Sequence, residues 1–385
     1  MAKRIKIGII YSYDENWIGG TYYYQNLIQS LNLLPDARKP HLVILSDNIY
    51  SFDSVKILNY PFITYKNLKN TFSFFEKCRN KILKKIFLKM TINKKKIDFG
   101  IDVLFHPSEV QVHNSIKKHL YWIPDFQEVH LPHLFSEAYL DFRKKSQQEL
   151  LSADKHILFS SNDACRDFEL LYPTAKSKKF VVNFTVFHPN YLNIQLRQLQ
   201  VKYRLPDVPY FFSPNQFWQH KNHIVVVKAI KKLKENHNFN IQVLFSGKEL
   251  DFRNPTYFNE IKRFVTENNL DENIKFLGFI DRVDQLAFMK NALAVIQPSL
   301  FEGWSSVVED AKAMNQNLIV SSLSVHQEQL GNKAYFFNPN DEIELMKQML
   351  LFLENKIDAP EYNYNEQLHL FGEKFMDVIS VINIQ

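Results

Sequence analysis

The chain has 385 residues, of which 45% are hydrophobic and 23% are charged, and its formal net charge at pH 7 is +6. This composition is typical of globular proteins and excludes disordered and fibrous classes, while the length predicts two or three domains of roughly 150 residues each. The two cysteines exclude a disulfide framework and a cysteine zinc site, and they favour a reducing, cytoplasmic compartment. No apolar run approaches about 18 residues, so no segment is predicted to span a membrane.

The first half of the chain alternates short apolar runs, typical of buried strands, with longer amphipathic stretches, typical of helices. The predicted strands are residues 5–11, 41–46, 101–106, 118–124, 155–161 and 179–186. The predicted helices are residues 21–34, 134–153 and 162–172. Asn162 is placed to open the last of these helices. Strands that alternate with helices predict a parallel sheet covered on both faces.

A looser polar stretch at residues 188–209 predicts a domain boundary, after which the alternation restarts. The later predicted strands are residues 210–215, 241–247, 274–280, 293–299 and 317–322. The later predicted helices are residues 222–237, 257–269, 285–292, 306–314 and 341–356. Two successive doubly wound α/β units result. Ligands of such sheets bind beyond the carboxyl ends of the strands, which here predicts a site in the cleft between the units.

Residues 66–96 carry a concentrated positive charge, with ten Lys and one Arg against one Glu. Apolar residues recur among them at three- and four-residue steps, which predicts an amphipathic helix with a basic face. One interpretation is a surface helix packed on its own domain, and another is a helix that binds an anionic membrane surface. A nucleic-acid partner is disfavoured because the segment has no recognition motif and its aromatic residues fall on the apolar face.

The nine glycines of the chain are too sparsely placed for two common nucleotide-binding motifs. No two glycines are separated by a single residue, which excludes the G-x-G-x-x-G dinucleotide fingerprint. Gly247-Lys248 has no glycine five residues before Gly247, which excludes a Walker A loop. The doublet Gly19-Gly20 follows the first strand, where it would let the backbone approach a ligand ahead of a helix. An ordinary strand-to-helix turn is the alternative.

The segment PSLFEGWSSVVEDAKAM at residues 298–314 places two carboxylates beside a helix start. Ser305 is predicted to cap the helix, which leaves the backbone N–H groups of Ser305, Ser306 and Val307 at its mouth, where they would favour an anion. Glu302, which precedes Gly303, and Glu309 on the helix could accept hydrogen bonds from sugar and ribose hydroxyls. Either glutamate alone could instead face solvent.

Two further segments place polar side chains where a predicted strand ends. In FSPNQFWQHKNH at residues 212–223, Gln216 and Lys221 could both reach a pyrophosphate in the cleft. In YWIPDFQEVHLPHLFS at residues 121–136, Asp125 follows the strand directly, and Gln127 and two histidines come soon after. These histidines are not predicted to bind metal because Pro132 between them prevents a fixed helical spacing. A solvated lysine and non-catalytic histidines are the alternatives.

Taken in chain order, the Gly19-Gly20 loop and the segments 121–136, 212–223 and 298–314 resemble those of a retaining glycosyltransferase of family 4. That family has the GT-B fold. The resemblance covers nearly the whole chain and is strongest at residues 298–314, where LFEGWSSVVEDAKAM and the later SVHQEQ are similar to the bacterial O-antigen and capsule branch. The resemblance implies transfer of a sugar from a nucleoside-diphosphate sugar to a glycan or lipid-linked acceptor, with retained configuration. It also implies an acceptor domain at residues 1–195, a donor domain at 205–360 and a final helix, about 362–385, that crosses back to the first domain.

The resemblance also implies a role for each site residue. Glu309 would hold the donor ribose, Glu302 the donor sugar, and Asp125 would lie near the acceptor. Lys221, the helix mouth and the Gly19-Gly20 amides would meet the charge of the leaving diphosphate.

Four positions depart from the family pattern. Six residues separate Glu302 from Glu309, where the family has seven. The usual glycine after the aromatic is replaced, which leaves Ser305-Ser306. Gln216 stands where a basic residue is usual, and Pro124 stands where a histidine usually precedes the aspartate.

No cofactor or metal is expected, because the sequence contains no D-x-D triplet to hold a divalent cation. Two rival functions remain open at this point: a GT-B nucleotide-sugar epimerase, and a non-catalytic sugar-nucleotide-binding scaffold. If the basic segment binds a membrane, the protein would lie on the inner face of the cytoplasmic membrane.

Overall fold

Two parallel β-sheets, each packed between helices, form the framework of the protein. The computed structural model describes residues 3–14, 18–68, 100–108, 116, 118–237, 239–355 and 357–384. Strands alternate with helices in both halves, so the predicted class of two doubly wound α/β units is confirmed.

The first sheet has seven strands in the order β3-β2-β1-β4-β5-β6-β7, and its strand pairs are parallel. The strands are β1 Lys6–Ile10, β2 His41–Ser46, β3 Ile63–Asn67, β4 Val103–Pro107, β5 His119–Ile123, β6 His156–Phe159 and β7 Lys178–Val181. The strand order reverses between β1 and β4, and a doubly wound sheet opens a crevice at such a switch point.

The helices of the first half connect these strands. They are α1 Ile18–Asn32, α2 Ile49–Lys56, α3 Gln127–His130, α4 Glu137–Gln148 and α5 Asn162–Leu171. Ser161 rather than Asn162 caps α5, because its Oγ accepts a hydrogen bond from the Ala164 amide at 3.1 Å.

The second sheet has six parallel strands in the order β10-β9-β8-β11-β12-β13 and reverses between β8 and β11. The strands are β8 Tyr210–Pro214, β9 Gln242–Ser246, β10 Ile274–Phe276, β11 Val295–Gln297, β12 Leu318–Ser321 and β13 Tyr335–Phe337. The helices of this half are α6 Leu196–Lys202, α7 His223–Asn236, α8 Tyr257–Glu267, α9 Arg282–Asn291, α10 Ser306–Ala313, α11 Ser324–Leu330, α12 Glu342–Glu354 and α13 Tyr364–Ile384.

The helices around the second sheet divide between its two faces. One apolar cluster packs α7, α8 and α12 against the sheet, through residues such as Ile230, Ile261 and Leu345. A separate cluster packs α6, α9 and α10 against it, through residues such as Leu286 and Val308. The second sheet is therefore covered by helices on both faces.

The last helix, α13, crosses back to the first half of the chain, as predicted. Phe371 and Phe375 are buried in the apolar cluster of the first sheet. Gly372 lies so close to α1 that a Cβ there would come within 2.8 Å of the Ser30 carbonyl oxygen, and the Gly372 amide donates to Ser30 Oγ at 2.7 Å. The helix therefore joins the two halves of the molecule.

Six elements were not predicted from the sequence: the helices α2, α3, α6 and α11 and the strands β3 and β13. Several of them have a weak apolar pattern. Only two of the eight residues of α2 are buried, and β3 is an edge strand with no fully buried residue. The short helix α6 lies within the stretch 188–209 that was predicted to be irregular.

The basic segment 66–96 lies outside the described residues, apart from its first three positions, where β3 ends at Asn67. The membrane and surface-helix interpretations of that segment therefore stay predictions. Among the residues that the structure does describe, no helix is both long and apolar enough to cross a membrane.

Candidate active site

Asp125, Lys221 and Glu302 lie together because each follows the carboxyl end of a strand at the cleft. Asp125 comes two residues after β5, Lys221 ends a short turn after β8, and Glu302 lies in the loop after β11. Lys221 Nζ donates to Glu302 Oε1 at 2.6 Å, and this ion pair is largely buried. Parallel topology thus brings together three side chains that are distant in sequence.

Glu302 is held by a dense set of donors. Its Oε1 accepts hydrogen bonds from Lys221, from Gln297 Nε2 at 2.6 Å and from Ser299 Oγ at 2.6 Å. Burial by itself raises the pKa of Glu302, but the charge of Lys221, supported by these hydrogen bonds, outweighs it and holds the pKa below its ordinary value. Glu302 is therefore a buried carboxylate that stays ionised.

Asp125 faces this pair from the first sheet. Its Oδ1 accepts a hydrogen bond from the backbone N–H of Gln127 at 3.1 Å. Burial raises the pKa of Asp125, the nearby charge of Glu302 raises it further, and Lys221 opposes the rise. The two carboxyl groups thus have environments that push their pKa values in opposite directions, which is typical of catalytic sites.

Gly303 packs directly against the loop that carries Asp125. A Cβ at this position would lie 2.6 Å from the Asp125 Cβ and 2.7 Å from the Pro124 carbonyl oxygen. Since real Cβ atoms do not come so close to backbone, the loop can meet Asp125 only with glycine here. The next residue, Trp304, donates from Nε1 to the Phe184 carbonyl oxygen at 3.0 Å and anchors the loop on the first half of the chain.

A buried ion pair that sequence reasoning missed supports the Asp125 loop. Arg143 Nη2 donates to the Asp125 carbonyl oxygen at 2.9 Å, and Arg143 Nε donates to Glu128 Oε1 at 3.0 Å. Gln147 Nε2 donates to the same Glu128 oxygen at 2.7 Å. Nothing in the local sequence marks Arg143, which is one of several charged residues along α4.

The mouth of α10 has the capped form that the sequence predicts. Ser305 is its N-cap, and Ser305 Oγ accepts from the Val308 amide at 3.4 Å. The Ser305 amide donates to Gln329 Oε1 at 3.2 Å, so it is already engaged. The first-turn amides of Ser306 and Val307 remain for an anion at this helix end.

Glu309 does not join Glu302. Its Oε1 accepts from Lys312 Nζ at 2.7 Å and Gln329 Nε2 at 2.9 Å, and its Oε2 accepts from the Tyr364 hydroxyl at 2.7 Å. Glu309 is 1% exposed and the next residue, Asp310, is 2% exposed, so their hydrogen-bond partners rather than their burial distinguish them. Glu309 therefore ties α10 to α11 and to the start of α13.

Asp310, the next residue, was not among the predicted site residues. Its Oδ1 lies 3.0 Å from His188 Nε2 and also accepts from Arg282 Nη2. The Arg282 guanidinium in turn lies 5.5 Å over the ring of Tyr22 on α1, so Asp310 and Arg282 face the first half of the chain. A signal was present in the sequence, because seven residues separate Glu302 from Asp310, which is the spacing that the family uses.

Three of the predicted site residues differ from the sequence expectation. Gln216 has a buried Nε2 with no hydrogen-bond partner among the described residues. Gly19 and Gly20 lie in the first turn of α1 rather than ahead of the helix, which corrects the sequence prediction. Gly19 is exposed, and no atom from another part of the described chain lies within 4 Å of the place a Cβ would take, so the space beside it is open.

A protein family and one known protein match parts of this chain. Residues 197–369 match the family described as Glycosyl transferases group 1, which covers the second sheet and its helices. The O-antigen chain mannosyltransferase RfbU of Salmonella typhimurium is 27% identical over 133 residues, which are 34% of this chain and 35% of that protein. The match therefore spans about a third of the relative.

Solved structures resemble this chain over nearly its full length. HepE of Anabaena, solved with UDP and glucose, has a TM-score of 0.63 at 12% identity and covers 99% of this chain and 98% of its own. A glycosyltransferase of Rickettsia africae gives 0.61 at 16% identity, with 98% and 94% covered. Sucrose-phosphate synthase of Thermosynechococcus elongatus gives 0.62 at 16% identity, with 98% and 95% covered. The chain has the GT-B fold.

In this GT-B protein the cleft has a centre and two sides. Asp125, Lys221 and Glu302 form the centre. On one side α9 and α10 present Arg282 and Asp310 to α1. On the other side the loop between β9 and α8 presents Arg253, whose Nη1 donates to Gln127 Oε1 at 3.1 Å.

Within the described part of the chain, no group of three or more His, Cys, Asp or Glu side chains is arranged to hold a metal ion.

Proposed function

We propose that the protein is a retaining glycosyltransferase of family 4 that transfers a sugar from a nucleoside-diphosphate sugar to a glycan or lipid-linked acceptor in cell-surface polysaccharide synthesis. The observation that carries this proposal is the meeting of Asp125, Lys221 and Glu302 across the cleft, beside the first turn of α10. The match of residues 197–369 to the group 1 glycosyl transferases and the similarity to an O-antigen mannosyltransferase support it.

The charge on the leaving diphosphate is met by Lys221 and by the helix mouth. A lysine ammonium has three N–H donors, and one of them is directed at Glu302, which leaves two for phosphate oxygens. The free amides of Ser306 and Val307 lie at the positive end of the α10 dipole. Groups that are fixed before the reaction stabilise developing charge without reorganisation, which is the largest single contribution in many enzymes.

Glu302 binds the donor sugar in this proposal. Its Oε1 is fully occupied by three donors, so Oε2 is the atom that accepts a sugar hydroxyl. The ionised state that Lys221 maintains makes this hydrogen bond charge-assisted. The same three donors hold the carboxylate of Glu302 in one position, so the bound sugar takes a defined orientation.

Asp310, rather than Glu309, holds the donor ribose. Both oxygens of Glu309 are taken by internal donors, whereas among the described residues only Oδ1 of Asp310 has a hydrogen-bond or ion-pair partner. Asp310 also lies at the seven-residue spacing from Glu302 and faces α1 across the cleft. A carboxylate there can accept from a ribose hydroxyl while Arg282 balances its charge.

Asp125 lies where the acceptor hydroxyl would approach. In a front-face substitution the acceptor oxygen attacks the same face of the sugar that the diphosphate leaves, so the new and the broken bonds share one side. Burial raises the pKa of Asp125, which suits a group that exchanges a proton or a hydrogen bond with that hydroxyl. We propose that this chemistry needs no metal, since Lys221 and the α10 amides supply the positive charge.

Nucleotide release from nucleoside-diphosphate sugars tests the function. Wild-type protein and Glu302→Gln are incubated with UDP, GDP, CDP and dTDP sugars, with and without an extract of lipid-linked saccharides. We expect one donor to be consumed faster in the extract, with the sugar transferred to it, and the variant to lose this. Consumption without transfer but with interconversion of the donor would indicate an epimerase. Tight binding without any consumption would indicate a scaffold.

Peripheral association with an anionic membrane, through residues 66–96, is part of the proposal and rests on sequence alone. The segment carries ten Lys and one Arg against one Glu, and each basic residue near an anionic surface contributes about 1 kcal/mol. Flotation with anionic liposomes should carry the protein at low salt and release it at high salt. Equal flotation with neutral liposomes would contradict this.

A further inference from the structure

A group of aromatic rings surrounds Arg253 on the side of the cleft away from Asp310. The guanidinium carbon of Arg253 lies 5.3 Å from the ring centre of Phe135, 5.4 Å from that of Trp218 and 5.6 Å from that of Phe252. Tyr139 stacks on Phe135 with ring centres 5.2 Å apart and planes 12° from parallel. Phe135, Tyr139, Trp218 and Phe252 are called the aromatic platform below.

The platform is fixed in place by hydrogen bonds of Arg253 that span both halves of the protein. Arg253 Nη1 donates to Gln127 Oε1 and Nη2 donates to His220 Nδ1, both at 3.1 Å, while Nε donates to Asp251 Oδ1 at 3.2 Å. Burial lowers the pKa of His220 well below its ordinary value, so the ring stays neutral and can accept. The arginine side chain is only 10% exposed. Its charge is therefore balanced and its geometry is set before any ligand arrives.

Much of the aromatic surface nevertheless faces solvent. Phe252 is 72% exposed and Tyr139 is 40% exposed, and Phe142 on the same helix is 43% exposed. Single exposed aromatic residues are common, but several grouped around one ordered arginine beside a cleft are typical of a binding surface. Their exposure next to an ordered arginine leaves the rings accessible to a ligand.

The platform is continuous with the candidate active site. The side-chain oxygen of Gln127 accepts from Arg253, and the backbone N–H of Gln127 donates to Asp125 Oδ1 at 3.1 Å. His220, the other partner of Arg253, immediately precedes Lys221 in the chain. A ligand that reaches Asp125 from this side of the cleft therefore passes over the exposed rings.

The chemistry of the platform matches a sugar ring. The face of a sugar carries C–H groups, which pack on the electron-rich faces of aromatic rings, and its rim carries hydroxyls, which bond to fixed polar groups. We infer that the platform binds the sugar residue of a glycan acceptor next to the hydroxyl that is glycosylated. This inference rests on the proposed function, and it assigns the acceptor as a saccharide whose ring lies on Tyr139 and Phe252.

The other side of the cleft fits the nucleotide better. Asp310 and Arg282 lie there, and α9 and α10, which carry them, pack on the opposite face of the second sheet from α8, which follows the Arg253 loop. A donor that extends from Asp310 to Glu302 would place its sugar at the central residues Asp125, Lys221 and Glu302. The aromatic platform lies beyond these residues, on the side of Arg253.

Saturation-transfer NMR with short oligosaccharides tests the inference. The probes are mannotriose, maltotriose, galactobiose and chitotriose, each with wild-type protein, Tyr139→Ala, Phe252→Ala and the control Tyr50→Ala. Tyr50 is a 76% exposed tyrosine on α2, far along the first sheet, so its variant matches the loss of an exposed ring. All three side chains are exposed, so the variants should fold.

We expect at least one probe to receive saturation from the wild-type protein and from Tyr50→Ala. Binding should be about 2- to 10-fold weaker in Tyr139→Ala and in Phe252→Ala, because each loses one aromatic contact. The inference is overturned if no probe binds the wild-type protein, or if the platform variants bind as the wild type does. The inference is also overturned if the platform variants lose flotation with liposomes but bind saccharides as the wild type does.

Hydrolysis of the nucleoside-diphosphate sugar without acceptor separates this inference from the proposed function. Donor hydrolysis that persists in the platform variants, together with weaker saccharide binding, supports both. Donor hydrolysis with no effect of the variants on saccharide binding overturns the platform and leaves the function standing. Saccharide binding that depends on the platform, in a protein that hydrolyses no donor, keeps the platform and contradicts the function.

Discussion

At the scale of single residues, the buried pair of Lys221 and Glu302 decides how the proposed site works. A buried charge is tolerated when it is paired, and removing one partner leaves the other uncompensated. Both residues could be predicted from the sequence, because each follows a strand at the cleft. Their direct contact could not, since the distance between two loops depends on how the sheet is ordered.

Replacing Lys221 with alanine should lower kcat by on the order of 10- to 100-fold or more, at about 1.4 kcal/mol for each factor of ten. The diphosphate gains charge as the glycosidic bond breaks, so the contact with Lys221 strengthens in the transition state. Gln216→Ala should cost less because a neutral hydrogen bond contributes about 1 kcal/mol. The measurement is steady-state kinetics on both variants, with folding checked by thermal melts. If Lys221→Ala kept the wild-type kcat while Gln216→Ala lost activity, Lys221 would not be the residue that stabilises the leaving diphosphate.

The pH profile of kcat/KM in Lys221→Ala tests whether Lys221 keeps Glu302 ionised. Lys221 is the largest of the influences that hold the pKa of Glu302 down, so its removal should raise that pKa. If catalysis needs ionised Glu302, the acid limb of the kcat/KM profile should move to higher pH in the variant. An unchanged acid limb would show that Glu302 is not the group that titrates.

Asp310→Asn and Glu309→Gln should have different effects. Asp310→Asn should weaken nucleotide binding by about tenfold, since a charge-assisted hydrogen bond contributes roughly 1.5–3 kcal/mol against about 1 for a neutral one. Glu309→Gln should leave nucleotide affinity nearly unchanged and lower the melting temperature, because it disturbs the contacts with Lys312 and Tyr364. Calorimetric titration with the nucleotide is the measurement. If Glu309→Gln lost nucleotide affinity and Asp310→Asn did not, Glu309 would be the residue that binds the ribose.

At the scale of elements, the loop after β11 is shaped by its contact with the loop after β5. The sequence predicts the loop, the cap at Ser305 and the helix after it, because strand ends and caps are local signals. It does not predict which helical residue faces the cleft, because a shift of one residue along α10 turns the side chain by about 100°. Glu309 and Asp310 differ by that one step.

Gly303→Ala should abolish transfer while the protein stays folded. The new Cβ would meet the Asp125 Cβ at 2.6 Å and the Pro124 carbonyl oxygen at 2.7 Å, so the two loops must separate. Gly331→Ala is the matched control, because a Cβ there meets no atom within 4 Å and costs only backbone strain at a φ of +56°. Transfer assays and thermal melts on both variants are the measurement. Wild-type transfer in Gly303→Ala would show that close approach to Asp125 is dispensable.

Long-range contacts between elements left no trace in the sequence. Glu328 on α11 accepts hydrogen bonds from the amides of Asn162 at 2.9 Å and Asp163 at 3.1 Å, and so places a carboxylate at the start of α5 in the other half of the chain. Arg143 and Arg253 likewise act on residues far from them in sequence. An isolated charged residue has no spacing or periodicity that would predict such a partner.

At the scale of the whole molecule, buried neutral histidines make stability depend on pH. Burial lowers the pKa of His223 to about 3 and that of His106 to about 4. The unfolded chain binds these protons at about pH 6.5, so stability is complete above that pH and is lost as the pH falls from 6.5 toward 3. For His223 the free energy of unfolding should be about 2 kcal/mol lower at pH 5 than at pH 7.5, at 1.36 kcal/mol per pH unit.

Urea unfolding of wild type and His223→Phe at the two pH values is the measurement. His223 stacks on Phe217 with ring centres 4.2 Å apart, so phenylalanine preserves the packing and removes the titration. The variant should have the smaller difference between the two pH values, whatever its absolute stability. An equal difference in both proteins would contradict the buried, neutral state of His223.

The alternation of strands and helices in the sequence predicts two parallel, doubly wound sheets, although not the order of their strands, and the switch point between β8 and β11 places Lys221 and Glu302. The central claim is that this cleft cleaves a nucleoside-diphosphate sugar by means of Lys221, Glu302 and the α10 amides, without a metal. Its most direct test is the release of nucleoside diphosphate from the preferred donor, in excess EDTA, by wild-type protein and Glu302→Gln. We predict full activity of the wild type in EDTA and loss of activity in the variant. Activity that EDTA abolishes and Mn²⁺ or Mg²⁺ restores, or a variant as active as the wild type, would contradict the claim.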